Sequence, residues 1–321
     1  MEPFRWAYIG SGSIAKNTAN SILKGDHRIT AVYSRNPVTA ERFAAKYGAT
    51  AYSTAEEAMT AADVDGVYIA TPHTAHLNYA VQALRLGRPV LCEKPVGVSA
   101  DEAQKMIRAA KDSGVYFCEA MWTWFSDVAL TVKQWVKSGS IGAVQKVEID
   151  YAFPGMRLPK TSRVRMPETA GGALLDIGIY PVTYCYMLFG MPQTIRCTGT
   201  LQDGIDVSET VTLGYDGFEC VLRTGLNGLR ERCVIKGSSG TITLGFFHMA
   251  SRAVLKTGSG RTVFKGKTDY LTEFTRAAAE IRAGRTESAY IPFASTCACL
   301  QILDTCRAQL GLRYPFEEGK A

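Results

Sequence analysis

Along the first third of the chain, short apolar runs alternate with stretches whose apolar positions recur every three or four residues. Trp6-Ala7-Tyr8-Ile9, Ile29-Thr30-Ala31-Val32-Tyr33, Thr50-Ala51-Tyr52, Gly66-Val67-Tyr68-Ile69-Ala70, Pro89-Val90-Leu91-Cys92 and Tyr116-Phe117-Cys118 read as strands. Helices are predicted between them over 14–23, 39–47, 76–86 and 99–112, and Thr54-Ala55-Glu56-Glu57 has the spacing of a capping box that opens another. Runs that are apolar throughout, instead of alternating, belong to strands covered on both faces. The alternation of such strands with helices predicts a doubly wound parallel sheet, the Rossmann architecture.

Near Met121 the pattern changes. A predicted helix over 128–136 leads into period-two runs at 144–151, 195–199, 207–213, 218–223, 233–236, 241–244, 253–256 and 262–264, most of them separated by Gly-rich turns. One helix, over 173–188, interrupts them, and two more, over 270–283 and 294–309, close the chain. This half predicts an α/β domain built on one large, open, mostly antiparallel sheet. The expected division is 1–120 for dinucleotide binding and 121–321 for substrate binding and dimerisation, joined by a continuous passage near Ala120.

Composition narrows the class. The 321 residues exceed one ordinary core, and 46% hydrophobic with 21% charged residues is the balance of a folded, not a disordered, chain. The net charge of +6 comes without any dense Lys/Arg run, which points away from nucleic acid and suits an anionic small ligand. The nine cysteines are odd in number and form no CxxC, so they read as reduced core residues, and no metal-ligand set is expected. The N-terminus runs straight into a strand without signal-peptide anatomy, and no apolar run is expected to approach the roughly 18 residues of a membrane span. The expectation is a cytoplasmic protein with no membrane partner.

The candidate chemistry begins at Gly10-Ser11-Gly12-Ser13-Ile14-Ala15, which follows the first strand and opens a helix. In that context the glycines allow a tight turn and a close backbone approach to a pyrophosphate, whose charge the helix N-terminus favours. An NAD enzyme usually carries a carboxylate at the end of the second strand to hold the ribose 2′-hydroxyl. Ser34-Arg35-Asn36 stands there instead, which favours NADP: Ser34 can donate to a 2′-phosphate and Arg35 can pair with it. NAD stays as the alternative.

Three further segments carry a family resemblance: Thr71-Pro72-His73-Thr74-Ala75-His76, Cys92-Glu93-Lys94-Pro95, and Gly171-Gly172-Ala173-Leu174-Leu175-Asp176-Ile177-Gly178-Ile179-Tyr180-Pro181. With the Gly10 motif they resemble the Gfo/Idh/MocA oxidoreductases over nearly the whole chain. Glu119-Ala120-Met121-Trp122-Thr123 is most similar to the branch of dimeric dihydrodiol dehydrogenases and glucose–fructose oxidoreductase. The resemblance implies hydride transfer between NAD(P) and a sugar, polyol, cyclitol or diol, often in a homodimer formed through the open sheet. Tyr180, where many relatives have histidine, marks the NADP-favouring branch. One departure is Trp124, where relatives in that branch carry arginine.

On this reading Lys94, past the end of the fifth strand, points into the cofactor crevice. Asp176 and Tyr180 lie four residues apart on one helical face. Tyr180 is the candidate acid/base, Lys94 its assistant and Asp176 an orienting acceptor. Thr71, Pro72, His76 and Glu93 fall at cofactor-side positions, His76 more as a structural than a catalytic group. Trp122, Trp124 and Phe153 are candidates for an apolar pocket wall. Arg157, Lys160, Arg163 and Arg165 read as a solvated basic loop, and His248 carries no assignment. A non-catalytic dinucleotide-binding regulator is the alternative of another class.

Overall fold

Strands β1 (Phe4–Ile9), β2 (His27–Tyr33), β3 (Thr50–Ala51), β4 (Gly66–Ile69), β5 (Val90–Glu93) and β6 (Phe117–Ala120) pair in parallel, in the order β3-β2-β1-β4-β5-β6. The computed structural model describes residues 2–317. Every position of β4, β5 and β6 is buried, as continuous apolar runs require. The crossovers carry α1 (Ser13–Ile22), α2 (Pro37–Tyr47), α3 (Ala55–Thr60), α4 (His76–Arg85) and α5 (Ala100–Ser113). The predicted capping box is present, with Thr54 accepting from the Glu57 N–H and Glu57 accepting from the Thr54 N–H. The strand order reverses between β1 and β4, the place where doubly wound sheets leave a crevice for a ligand.

After α6 (Asp127–Lys137) come β7 (Val144–Ala152), β8 (Thr194–Gln202), β9 (Ile205–Tyr215), β10 (Phe218–Gly225), β11 (Arg230–Gly237), β12 (Gly240–Gly245), β13 (Arg252–Thr257) and β14 (Gly260–Lys265). They form one sheet in the order β14-β13-β12-β11-β7-β10-β9-β8, antiparallel at each pairing except the parallel β7/β10. Alternate residues divide its faces. Val147, Ile149, Cys220, Leu222, Cys233 and Ile235 are buried on one. On the other, Glu148 and Asp150 meet Lys146, Arg223, Arg230 and Lys236 in ion pairs of 3.1–3.8 Å.

The helix expected over 173–188 starts with a widened, π-helical turn, Leu174–Gly178, before α7 (Ile179–Phe189). Pro167–Phe189 is long and apolar enough, by length and composition, to cross a membrane, which corrects the expectation that no run approaches that length. Here 83% of its apolar window is buried inside the fold, where a helix that is apolar on all sides belongs. All nine cysteines are free, and eight are buried.

The chain divides into two compact units, one reaching to Phe125 and including Asp269–Cys297, the other comprising Ser126–Thr268 and the chain from Ala298. This departs from a single division near Ala120. The returning segment carries α8 (Tyr270–Arg282) and the first turn of α9 (Phe293–Leu310). Its Phe274 explains the return: the ring lies 5.0 Å from Trp6 and 4.8 Å from Tyr68, completing an aromatic core that β1 and β4 begin. Burying such a ring is worth on the order of 2–3 kcal/mol.

Candidate active site

A cleft at the ends of β1, β2 and β4 is lined by Gly10, Gly12, Ser34, Arg35, Thr71 and Pro72, among others, so the structure gathers these six predicted cofactor residues at one place, while Ser13, Ile14, His76, Glu93 and Lys94 are not among its lining. Gly10 has φ +110°, and a Cβ there would stand 2.6 Å from the Ala70 carbonyl oxygen. Only glycine fits that turn. A Cβ on Gly12 would meet nothing within 4 Å, which leaves the backbone open to a ligand. Gly12 also caps α1, without a side-chain cap among the described residues, and Ser13 and Ile14 lie in that first turn. The buried Thr71 hydroxyl has no hydrogen-bond partner among the described residues. An open helix N-terminus, an unsatisfied hydroxyl and an exposed arginine together fit a phosphorylated dinucleotide. Ser11 donates to the Thr39 hydroxyl at 3.0 Å, and Ser34 is 3.2 Å from that same oxygen, so the start of α2 is tied to the cleft.

His76 joins this cleft to the next strand. Its Nε2 is 2.8 Å from the Thr71 carbonyl oxygen and its Nδ1 3.0 Å from that of Pro95. With both ring nitrogens turned to backbone carbonyls, His76 serves as a clamp between the two motif loops. Glu93 is buried at the end of β5, accepting from the Tyr68 hydroxyl and, at 3.2 Å, from the Lys94 backbone N–H. Its role is therefore to fix the backbone that presents Lys94. Glu119, buried one strand away, accepts from the Val96 N–H at 3.0 Å and the Thr296 hydroxyl at 3.2 Å. Burial pushes its carboxyl up to about 7, against those two bonds and the nearby Lys94 charge. Glu273 on α8 is fully buried, with neither carboxyl oxygen bonded among the described residues. Burial and then the Glu93 charge hold it well above the usual carboxylate range.

In the second unit, Gly172 adopts φ +122°, packed so closely on Asp206 that no side chain could be added. Asp206 accepts from the Leu174 N–H at 2.5 Å and so anchors the π-helical turn that holds Asp176. Arg163 donates to Asp176 at 2.8 Å. Arg163 remains exposed, as a solvated basic loop has it, but also pairs with Asp176: the loop folds back because Gly171 has room only for backbone beside the Arg163 and Val164 carbonyls. Tyr180 is 7% exposed, with the rings of His248 and Tyr151 centred 5.4 and 6.0 Å away.

Beneath this segment the buried face of the eight-stranded sheet turns polar. Glu231, Tyr151, Thr224 and Glu209 are successive cross-strand neighbours on β11, β7, β10 and β9. Thr224 donates to Glu209. Burial, reinforced by the Asp206 charge, holds Glu209 well above the usual carboxylate range. At the other end of the row Glu231 accepts from His248, both from its backbone N–H at 2.9 Å and from its Nδ1 at 2.6 Å.

Two family models match the chain: "Oxidoreductase family, NAD-binding Rossmann fold" over residues 4–120 and the "GFO/IDH/MocA C-terminal domain" over 129–243. A scyllo-inositol 2-dehydrogenase (NADP(+)) of Bacillus subtilis is 32% identical, over 98% of this chain and 99% of its own. The chain belongs to the Gfo/Idh/MocA oxidoreductase family. A trans-1,2-dihydrobenzene-1,2-diol dehydrogenase of Mus musculus is 29% identical over 97% of this chain and 98% of its own. Among solved structures, a 3-ketoreductase from Actinomadura kijaniata superposes with a TM-score of 0.85 at 21% identity, covering 96% of this chain and 98% of that one. An aldose-aldose oxidoreductase from Caulobacter crescentus gives 0.86 at 19%, covering 96% and 97%. Both are likenesses of fold.

Within this member of the family, Trp122 and Trp124 are buried in the first unit on a short 3₁₀ turn, Trp122 with its ring 4.9 Å from Tyr270. Phe153 lies in the second unit, half-buried beside Tyr151 and Met156 against a core of Val164, Ile177 and Leu226. Sequence reasoning passed over Glu119, Glu273, Asp206, Glu209 and the Glu231–His248 pair. A signal existed: Tyr151, Glu209 and Glu231 occupy the core phase of period-two strands, where a polar residue breaks the pattern. Among the described residues no group of three or more His, Cys, Asp or Glu is placed to hold a metal ion.

Proposed function

We propose that the protein is an NADP-dependent dehydrogenase or reductase that moves a hydride between nicotinamide and a polyol, sugar or diol, with Tyr180 as acid/base assisted by Lys94. The observation that carries the reading is Ser34-Arg35 in the same cleft as Gly10 and Gly12, at the position where an NAD enzyme carries a carboxylate. A relative 32% identical that is named for NADP(+) supports it. Ser34 and Arg35 would hold the 2′-phosphate, and the N–H groups of α1 the pyrophosphate. Bound nicotinamide supplies or accepts the hydride.

The chain's own work is at the reacting oxygen. Free tyrosine titrates near ~10, and an ammonium beside it favours the phenolate, which makes Lys94 the natural partner for Tyr180 as proton carrier. Asp176, held by Arg163, orients a neighbouring substrate hydroxyl. Homodimer formation and a cytoplasmic setting belong to the same reading. Nine free cysteines favour the setting, and light scattering tests the dimer.

The deciding experiment is NADP⁺ reduction across a panel of cyclitols, aldoses and cyclic diols, with Lys94→Ala and Arg35→Asp alongside. We expect a substrate whose turnover falls ~10³-fold in Lys94→Ala, within the ~10²–10⁴ typical of one lost acid/base group. Arg35→Asp should raise Kd for NADPH ~10-fold or more while sparing NADH. Tight NADPH binding with no turnover on any member would overturn the dehydrogenase reading in favour of a regulator.

A further inference from the structure

Two pairs of cysteines in the second unit bring their thiols into hydrogen-bonding reach: Cys185 with Cys220, and Cys197 with Cys306. The first pair joins α7 to β10, and neither residue has exposed surface. Burial, then the Cys220 contact, holds the Cys185 thiol well above its ordinary value, and a buried thiol of that kind is inert. The second pair joins β8 to α9, and there each thiol is governed first by the other. Cys306 donates to Cys197, which holds Cys197 below the ordinary thiol value against burial, and Cys306 above it with burial adding. Strand β8 is an edge of the eight-stranded sheet, and Cys197 is its one buried position. Cys197 keeps 6% of its surface exposed, whereas Cys306 keeps none. Gln309, one turn along α9 from Cys306, ties the helix to that edge. Its Oε1 accepts from the Cys197 N–H at 2.6 Å, and its Nε2 donates to the Ile195 carbonyl at 2.9 Å. Two positions along the strand, a Cβ on Gly199 would meet the Ser208 carbonyl and stand 3.1 Å from Leu310, so helix and strand lie in close contact there too. Backbone tethers on the strand and on the helix therefore hold the two sulfurs together.

We propose that Cys197 and Cys306 are a reversible oxidation site, at which a hydroperoxide converts the two thiols into a disulfide that locks α9 onto the edge of the sheet. Cys197 gives its proton to solvent, and its thiolate attacks the O–O bond of the peroxide. The S–O bond forms, the O–O bond breaks, and a sulfenic acid and a hydroxide result. The Cys306 sulfur then attacks the sulfenic sulfur, the S–O bond breaks, and the hydroxyl leaves as water with the Cys306 proton. With the first hydroxide reprotonated, two thiols and one hydrogen peroxide become one disulfide and two waters: the sulfurs lose two electrons and the peroxide gains them. Thiols of the glutathione class reverse the step by exchange, and disulfides that form in a reducing compartment are transient and sensing in this way. Just past α9, the Tyr314 hydroxyl donates to the Gly171 carbonyl at 3.2 Å, so the bridge restrains a helix that buttresses the head of the Asp176 segment.

The test treats the folded full chain with a small excess of hydrogen peroxide, alkylates the remaining thiols after denaturation and maps linked peptides by mass spectrometry. Two of the nine thiols should be lost, joined as Cys197–Cys306 before any other cysteine reacts, and dithiothreitol should restore both. Cys306→Ala should stop Cys197 at the sulfenic acid, which dimedone captures, and should slow its formation about 3-fold or more because the donor is gone. Cys306→Ser, whose hydroxyl can still donate, should recover that rate without forming a bridge. Cys185→Ala should leave the yield of the bridge unchanged. The proposal is overturned by a wild-type chain that keeps all nine thiols while glutathione in the same solution is oxidised. It is equally overturned by a first crosslink at another pair or between chains, or by a Cys197 sulfenic acid that persists beside a free Cys306. These three readings come from the wild type and need no variant to fold.

Discussion

The two sheets of this protein carry function in opposite ways. In the six-stranded sheet both faces are covered, the strands are apolar throughout, and the candidate cofactor cleft is made largely of backbone: Gly10, the open N-terminus of α1 and the Ala70–Thr71 passage. In the eight-stranded sheet one face carries ion pairs, and the buried face is interrupted by the row Glu231, Tyr151, Thr224 and Glu209 under the Asp176–Tyr180 segment. On the proposed reading the first sheet would place its cofactor by what it omits, namely side chains at two glycines. The second is distinguished by what it buries, polar groups that each need a partner. A parallel sheet offers its function at strand ends because its faces are taken, whereas a sheet with an exposed face can spend part of its covered one on a polar network.

The largest expected effect tests the first sheet from its two ends. His27, at the start of β2, is buried between the Trp6 indole N–H at 3.3 Å and the Thr275 hydroxyl at 3.2 Å. Burial, then the Arg282 charge, pushes it down to about 4 from 6.5. A histidine depressed in this way contributes stability that is present above 6.5 and lost as pH falls to about 4, on the order of 3 kcal/mol in all. Glu119, at the end of β6, runs the other way. Raised from 4.5 to about 7, its contribution is present below 4.5 and lost as pH rises through about 7, by a similar amount. Thermal or urea unfolding between pH 4 and 8 should therefore show His27→Phe gaining stability toward acid relative to wild type, and Glu119→Gln gaining toward neutral pH. Parallel profiles for the two variants would mean that neither group is held as buried as the structure has it.

A smaller effect tests the backbone character of the cleft. Gly10→Ala forces a left-handed residue and a carbon 2.6 Å from the Ala70 carbonyl oxygen, and should cost about 2 kcal/mol in stability. NADPH affinity should fall with it, whereas Gly12→Ala, with open space around it, should lower affinity and leave the melting temperature alone. If Gly12→Ala destabilised as much, the contrast between a packed and an open glycine would be wrong. The smallest effect belongs to the outer face of the second sheet. Arg223 is 41% exposed and sits 3.4 Å from Asp150 and 3.8 Å from Glu148. Arg223→Ala should change unfolding free energy by less than ~0.5 kcal/mol, since exposed pairs are screened by water and salt. A loss several times larger would mean that this face is covered, as a dimer through the sheet would have it.

The amino-acid sequence by itself determined the strand–helix alternation, the capping box at Thr54, the Gly10 turn and the motif segments, because each rests on interactions between residues a few positions apart. Hydrophobic period, cap chemistry and the need for glycine at a positive φ are local physics, and local physics is written locally. The π-helical start of the Asp176 segment, the Arg163–Asp176 pair and the return of α8 to the first sheet were not legible in this way. Nor was the setting of His248. Glu231 and Tyr151 are 80 residues apart and become neighbours only through the β11–β7 register, and His248 meets both only because its turn folds back onto them. Partners for buried polar groups are chosen by whichever strands happen to be adjacent, and strand adjacency is decided by the burial of the whole sheet. That choice is made in three dimensions, and it is where this protein keeps the groups that surround its candidate acid/base.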